Sequence, residues 1–478
     1  VHIEDGINIV SAMPVNAAMP NVNADFTLPA GSQTSTDGGD IVMGSGTTTD
    51  ALGPTGVLRT FSGSYMGFMY GTAGSLNTIY SGGGDIRVRA SSAVSGPIGI
   101  GIRGGKSIIA GSGTIDLTVD TPSNINSRGM ELGHANAGNV RIYSSADENP
   151  AIKFEVRNPG TTGDAGILSG YHQNGTSNRI SIQATGQGGV LMSASNNVNS
   201  SRFGVELNGT DILSPTGPIV IDGGVKGTAF MSWYSSVGFV NLGSCTTTGM
   251  PTSFDCPLSM VTSSSANITV RGNYIPIYGD NRYLSFRTEG NIVVEPSVGN
   301  NFTSLLNFYA NTSNLVPETI RLGKDSTTAV ADTYTRQVLT AKKSVEIYGR
   351  DVYSNGDIRV LNTSSQPDEG GLRLKASRHI WTSANRFDAN GSSIVMWANS
   401  ADTEGVIRLW DGAQVCSATT FNAVSSGTAT FNSCRTTGGA EVILGGGAGT
   451  SSSTVATGPN ATVPAGFAKG YGTVNYAG

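Results

Sequence analysis

The feature that most constrains this chain is its period. Apolar residues alternate with polar ones in short runs, each bounded by Gly, Asn, Asp or Ser. Asp40-Ile41-Val42-Met43, Gly84-Asp85-Ile86-Arg87-Val88-Arg89, Thr114-Ile115-Asp116-Leu117-Thr118-Val119 and Ala151-Ile152-Lys153-Phe154-Glu155-Val156 set the pattern. Arg179-Ile180-Ser181-Ile182, Asn267-Ile268-Thr269-Val270-Arg271, Asn291-Ile292-Val293-Val294 and Val345-Glu346-Ile347-Tyr348 continue it. Runs of this length, rich in β-branched residues and closed by turn formers, are strands. Asn174-Gly175, Asn208-Gly209, Asn355-Gly356 and Asp411-Gly412 supply residues that tolerate positive φ in tight turns. The expected fold is all-β with almost no helix. Only Phe302-Thr303-Ser304-Leu305-Leu306-Asn307-Phe308-Tyr309 has apolar groups at helical spacing, which allows one short helix there.

A small motif recurs: an arginine between two apolar residues. It stands at Ile86-Arg87-Val88, Val140-Arg141-Ile142, Ile320-Arg321-Leu322, Ile358-Arg359-Val360, Leu372-Arg373-Leu374 and Ile407-Arg408-Leu409. On a strand the flanking residues share one face and the arginine takes the other. The arginine is then either solvated or paired with an acidic residue of a neighbouring strand. The motif separations of 54, 180, 38, 14 and 35 residues are irregular. A single-chain solenoid built from a fixed repeat is therefore not expected, because identical stacked units give a constant period.

Charge narrows the function classes. Only 13% of residues are charged, and the net charge is −5. Such a chain lacks the basic surface that phosphate neutralisation requires, so nucleic acid is not an expected partner. Insertion in a membrane is not expected either, since no apolar run reaches the length of a spanning helix. The start, Val1-His2-Ile3-Glu4-Asp5, lacks a signal-peptide pattern and an initiator Met, which fits a processed chain or one numbered from within a longer product. Arginine outnumbers lysine 21 to 8, a bias that suits interfaces and cross-strand pairs.

Four cysteines form two local pairs, Cys245 with Cys256 and Cys416 with Cys434. No CxxC spacing or adjacent histidine suggests zinc. Each pair is either a disulfide closing a local loop or two buried thiols, and disulfides would form in an oxidising exterior.

No cofactor is expected. Gly99-Ile100-Gly101-Ile102-Arg103-Gly104 matches the dinucleotide-binding glycine spacing, but strand and turn residues follow it where a helix is required. No serine elbow stands out. Glu346 with Asp351 and Asp402 with Glu404 are close enough in sequence to consider as hydrolytic carboxylate pairs. Turn carboxylates more often cap turns or pair with arginine, so catalysis is not expected of either. Three of the four tryptophans, Trp381, Trp397 and Trp410, fall in one segment, interspersed with Arg378, Arg386 and Arg408. Taken singly, each tryptophan belongs in a β core. Taken together, this mix is that of a binding hot spot, and these six residues are the candidate contact surface.

The linear organisation reads as a proline-bearing neck over 1–35 and a uniform β-repeat shaft over 36–225. A β domain with the first Cys pair covers 226–300, and a β segment with the possible helix covers 301–379. An aromatic-rich β domain with the second Cys pair spans 380–437, ahead of a Gly/Ser/Thr-rich tail over 438–478. This texture, with segments such as Glu369-Gly370-Gly371-Leu372-Arg373-Leu374-Lys375-Ala376-Ser377, resembles tailed-bacteriophage tail-fibre and tail-tip proteins. The resemblance implies an elongated homotrimer whose short strands intertwine in a β-prism-like or β-helix-like shaft with small β domains. It also implies a location on the virion, outside the cell. Other tail proteins and a host-surface glycan or protein would then be the partners. Thin strands with little core of their own would bury their apolar faces against two further copies and cover their edges the same way. A secreted bacterial or archaeal surface filament and a polysaccharide-degrading tailspike share parts of this texture.

Overall fold

The computed structural model describes most of residues 38–230, residues 264–276 and most of 284–398. It also describes short strands at 2–3, 9–10, 235–238, 406–409, 414–416, 442–446 and 473–476. The chain forms two compact units, residues 1–272 with 278–284, and residues 273–277 with 285–478. The described residues are almost entirely strand, and their one helical element is the 3-10 turn Gly224–Lys226. No helix among them is long and apolar enough to cross a membrane.

In the first unit the chain winds through three parallel sheets in turn. Ile98–Arg103, Lys106–Ile109 and Ile115–Asp120 make one coil, and Arg128–His134, Val140–Ser144 and Ile152–Arg157 make the next. Each strand pairs in parallel with its counterpart one coil on. Register converts the sequence period into columns. Ile86, Ile115, Ile152, Val190, Ile219 and Ile268 lie side by side in one sheet. Ile79, Ile108, Ile142, Ile182 and Ile212 do so in the second, and Phe68, Ile100, Met130, Ile167 and Val205 in the third. All of these residues are buried. Each such side chain contributes on the order of 1.5–3 kcal/mol over its exposed state.

The chain does form a single-chain stack of coils, though without the fixed repeat whose absence argued against one. Stacking is regular in space while the turns differ in length. The equivalent residues Ile86, Ile115, Ile152, Val190 and Ile219 are separated by 29, 37, 38 and 29 positions. The arginine motifs also fall on different sheets, so their spacing mixes several paths. All six lie in strands. Arg87 and Arg359 pair with Asp85 and Asp357 two residues back, whereas Arg321 reaches Glu295 of another strand. The premise that the strands lack a core of their own is corrected, since three sheets of one chain close it.

Glycine makes the corners possible. Gly99, Gly129, Gly166 and Gly204 occupy one column of the first unit. A Cβ at Gly99 would lie 2.3 Å from Val119 Cγ1, and one at Gly129 would lie 2.4 Å from Val156 Cγ1 and 2.5 Å from the Gly166 oxygen. The apparent nucleotide motif is part of this column. Gly99 lets one sheet approach the next, within strand Ile98–Arg103.

The second unit repeats the plan. Thr319–Leu322, Thr333–Thr335 and Leu339–Ala341 form one coil, followed by Ser344–Gly349, Val352–Ser354 and Ile358–Val360. Gly371–Ala376, Ile380–Thr382 and Arg386–Asp388 form the next. Its apolar columns include Ile292, Ile320, Val345, Leu372 and Ile394. The possible helix at 302–309 is instead a bend followed by strand Leu306–Phe308, because Leu306 and Phe308 must face inward on alternate positions. Within the tail-like C-terminal segment, Val442–Gly446 pairs with Ser393–Ala398 and Thr473–Tyr476 with Val406–Leu409.

Gly129→Ala is expected to destabilise the first unit by about 1–3 kcal/mol through overpacking. The same change at an unconstrained glycine would stabilise by roughly 0.4–1 kcal/mol. Chemical denaturation of both proteins measures the sign.

Candidate functional site

Four successive strands of one sheet, Leu306–Phe308, Thr333–Thr335, Val352–Ser354 and Ile380–Thr382, are three residues long. In each, the first and third residues are buried, so only the middle one faces outward. Register therefore produces a single file: Asn307, Tyr334, Tyr353 and Trp381, with Arg408 at the next position. Tyr334 and Tyr353 stack, with centroids 4.1 Å apart and planes at 17°. Trp381 breaks the stack, standing at 78° to Tyr353 with centroids 5.3 Å apart. His379 lies 5.5 Å from its ring. Trp381 is 37% exposed, a large apolar surface left in water.

Two arginine–aspartate pairs flank the column. Arg350 donates to both oxygens of Asp332, at 2.7 and 2.9 Å. Arg378 donates to both oxygens of Asp351, from Nε at 2.8 Å and from a terminal nitrogen. Asp351 is buried, and it also accepts the His379 backbone N–H at 3.1 Å and the Tyr353 hydroxyl at 3.2 Å. Burial alone would raise its pKa. The Arg378 hydrogen bonds, the His379 N–H and the Arg378 charge together outweigh that and hold it below the ordinary carboxylate value. Hydrogen bonding to Asp351 raises the Arg378 pKa, and hydrogen bonding to Asp332 raises that of Arg350. Burial, then hydrogen bonding of its own O–H to Tyr334 and the Asp351 charge, raises that of the Tyr353 phenol. The cluster is thus a rigid set of ion pairs around one open indole.

Of the sequence candidates, the structure brings Trp381 and Arg378 together and sets Arg408 beside Trp381 in register. Arg386 is elsewhere, paired with Asp388 on another sheet. Trp397 is not on the surface. It lies in the column Tyr348, Lys375, Trp397, Gly445, with the Lys375 ammonium 4.3 Å from its ring centroid, and it is 1% exposed. That column is covered by the segment that follows Gly323: Asp325 binds Lys375 Nζ at 2.5 Å, and the Ala329 oxygen accepts from Ser377. Trp410, Cys245, Cys256 and Cys434 lie outside the described residues, as does the side chain of Cys416, the last residue of strand Gln414–Cys416.

Glu346 accepts from the Tyr348 hydroxyl at 2.8 Å, and Asp351 is held by Arg378. Asp402 and Glu404 lie outside the described residues. On another face of the second unit, a groove of about 740 Å³ is lined by Glu318, Thr319, Arg321, Lys343, Ser344 and Glu346, among others. Among the described residues no cluster of three or more His, Cys, Asp and Glu could hold a metal ion.

Sequence reasoning missed Tyr334, Tyr353, Asp332 and Arg350, and named Asp351 only as a carboxylate-pair candidate with Glu346. The signal was present: Asp332-Thr333-Tyr334-Thr335, Asp351-Val352-Tyr353-Ser354 and His379-Ile380-Trp381-Thr382 share a polar–aliphatic or hydroxyl–aromatic–hydroxyl pattern at coil spacing. No protein-family model, curated protein or solved structure matches this chain.

Two outcomes distinguish the tryptophans and test the ion pair. Trp397→Ala is expected to cost about 3–5 kcal/mol in denaturation. Trp381→Ala should cost about 1 kcal/mol or less, the scale of one exposed aromatic pair. For Asp351, the folded pKa lies below the unfolded one. Its stabilisation is therefore present above the unfolded carboxylate value, roughly pH 3.9, and is lost as pH falls through the folded value. Asp351→Asn is expected to lower the thermal midpoint at pH 7 and to show less additional loss than wild type between about pH 4 and pH 2.

Proposed function

We propose that this protein is a tail-fibre-like virion appendage that contributes to host-surface attachment and performs no catalysis. The observation that carries the reading is the outward aromatic column ending in the exposed Trp381, braced by Arg378–Asp351 and Arg350–Asp332. Stacked coils suit a rigid, extended appendage, since each coil contacts mainly its neighbours and length is added by repetition. An exposed indole between fixed hydrogen-bonding pairs suits recognition of a surface molecule. Self-association as a homotrimer belongs to the same proposal, by side-by-side packing of coils that already have their own cores. Other tail proteins and a host-surface molecule are the remaining partners, and the location is the virion exterior.

Sedimentation equilibrium is expected to give three times the 49.1 kDa chain mass. Labelled protein is expected to coat at least one species in a panel of Gram-negative and Gram-positive bacteria. A folded Trp381→Ala protein should lose that coating at least about tenfold, the effect of one hot-spot residue. A monomer would remove the trimer, and failure to coat any species would remove the attachment role.

A further inference from the structure

We infer that the Trp381 face is a binding site for an uncharged polysaccharide, one of whose sugar rings lies on the indole. The inference rests on the attachment reading and names the chemistry of its ligand.

Three features of the site select this class. The first is which aromatic face is free. Tyr334 and Tyr353 close their faces on each other at 4.1 Å, so what they can offer a ligand is edges. Trp381 stands almost perpendicular to that stack and retains 37% of its surface. One exposed aromatic platform matches the C–H face of a single sugar ring. A protein hot spot is instead a packed pocket surrounded by further desolvated contacts.

The second feature is charge. Asp332 is matched by Arg350 and Asp351 by Arg378, each through two hydrogen bonds. The two pairs on the rim are therefore polar but each electrically balanced, with Arg408 next to Trp381 in register. An acidic glycan arriving here would meet no uncommitted cation in these pairs and would face the part-exposed Asp332 carboxylate. A sugar hydroxyl both donates and accepts, so it can donate to the Asp332 carboxylate and accept from the Arg350 guanidinium without either charge losing its partner.

The third feature is direction. Asn307, Tyr334, Tyr353 and Trp381 lie in single file across successive coils, and parallel strands are about 4.7–4.9 Å apart. A chain laid along the file meets a polar or aromatic edge at every coil. Its rigid partners need no reorganisation, which limits the entropic cost of binding.

Affinity electrophoresis of the full chain tests this, with dextran, mannan, galactan or arabinogalactan cast in the gel and polygalacturonate as the acidic comparison. Wild type is expected to be retarded by at least one neutral polysaccharide and to give the same dissociation constant at 50 mM and 500 mM NaCl. Trp381→Ala should weaken retardation at least tenfold and Trp381→Phe should restore part of it, both with wild-type circular dichroism. Asp351→Asn, which leaves the platform but unbalances the rim, should weaken it several-fold. Absence of retardation by every neutral polysaccharide overturns the inference. So does retardation by polygalacturonate alone that fades with salt, and so does retardation that Trp381→Ala leaves intact. If bacteria are still coated in a Trp381-dependent way while neutral polysaccharides fail, the attachment role stands and the ligand is a protein or an acidic glycan.

Discussion

Everything in this protein depends on parallel pairing in constant register between a strand and its counterpart one coil on. Backbone N–H and C=O groups of an inner coil are satisfied by the coils on either side, as where Ile115 N–H donates to the Ala151 oxygen and Ile86 N–H to the Thr114 oxygen. Once that pairing is made, side-chain placement is no longer independent. An isoleucine at position 115 must sit between those at 86 and 152, and a slip of one residue would turn the whole apolar set outward. The same constraint makes glycine necessary at 99, 129, 166 and 204, because a corner repeated at every coil must be narrow at every coil. A glycine content of 66 in 478 residues, which looks like weakness in a strand-rich chain, is in part the cost of those corners.

Strand length then decides what each outer face can become. Strands of six residues, such as Ser344–Gly349 and Gly371–Ala376, present several outward positions, and these fill with mixed charges or are covered. Trp397 belongs to such a strand and is roofed by residues held through Asp325 and Ala329. Strands of three residues present one outward position each, so the neighbouring sheet carries a single file of residues. Trp381 is in that file. Two tryptophans sixteen positions apart, both outward by strand parity, thus meet different fates because of the width of the sheet and the turn that folds over it.

The sequence made the strands legible and hid the stacking. Period-two runs located Ile86–Ser91, Ile115–Asp120 and Ile152–Arg157, because each run buries one face of one strand. The coil was not legible, since equivalent residues recur after intervals from 29 to 38 positions in the middle of the first unit. The search for a repeat followed Arg87, Arg141, Arg321, Arg359, Arg373 and Arg408, which occupy several different sheets and so cannot share a period. Part of the candidate site was legible. Trp381 and Arg378 stood out by residue type, whereas Tyr334 and Asp332 became visible only when the fold placed them beside residues 19 and 18 positions later. A lone tyrosine in a threonine-rich strand carries no local signal of the column it joins.

The division between faces has a consequence for how such a surface can change. Inward residues of a coil, such as Val352 and Ile380, are locked by the columns they share with Thr333 and Ile407. The outward residue between them contributes little to that packing, and its neighbours in space come from other coils. Substitutions along Asn307, Tyr334, Tyr353 and Trp381 therefore alter the chemistry of the strip while the inward columns stay intact. Asp351 is the point at which the two requirements meet. It is buried and takes part in holding the coil through its bonds to Arg378 and the His379 backbone, yet it borders the indole that faces solvent. A change at Trp381 adjusts recognition alone, whereas a change at Asp351 acts on recognition and on the fold together.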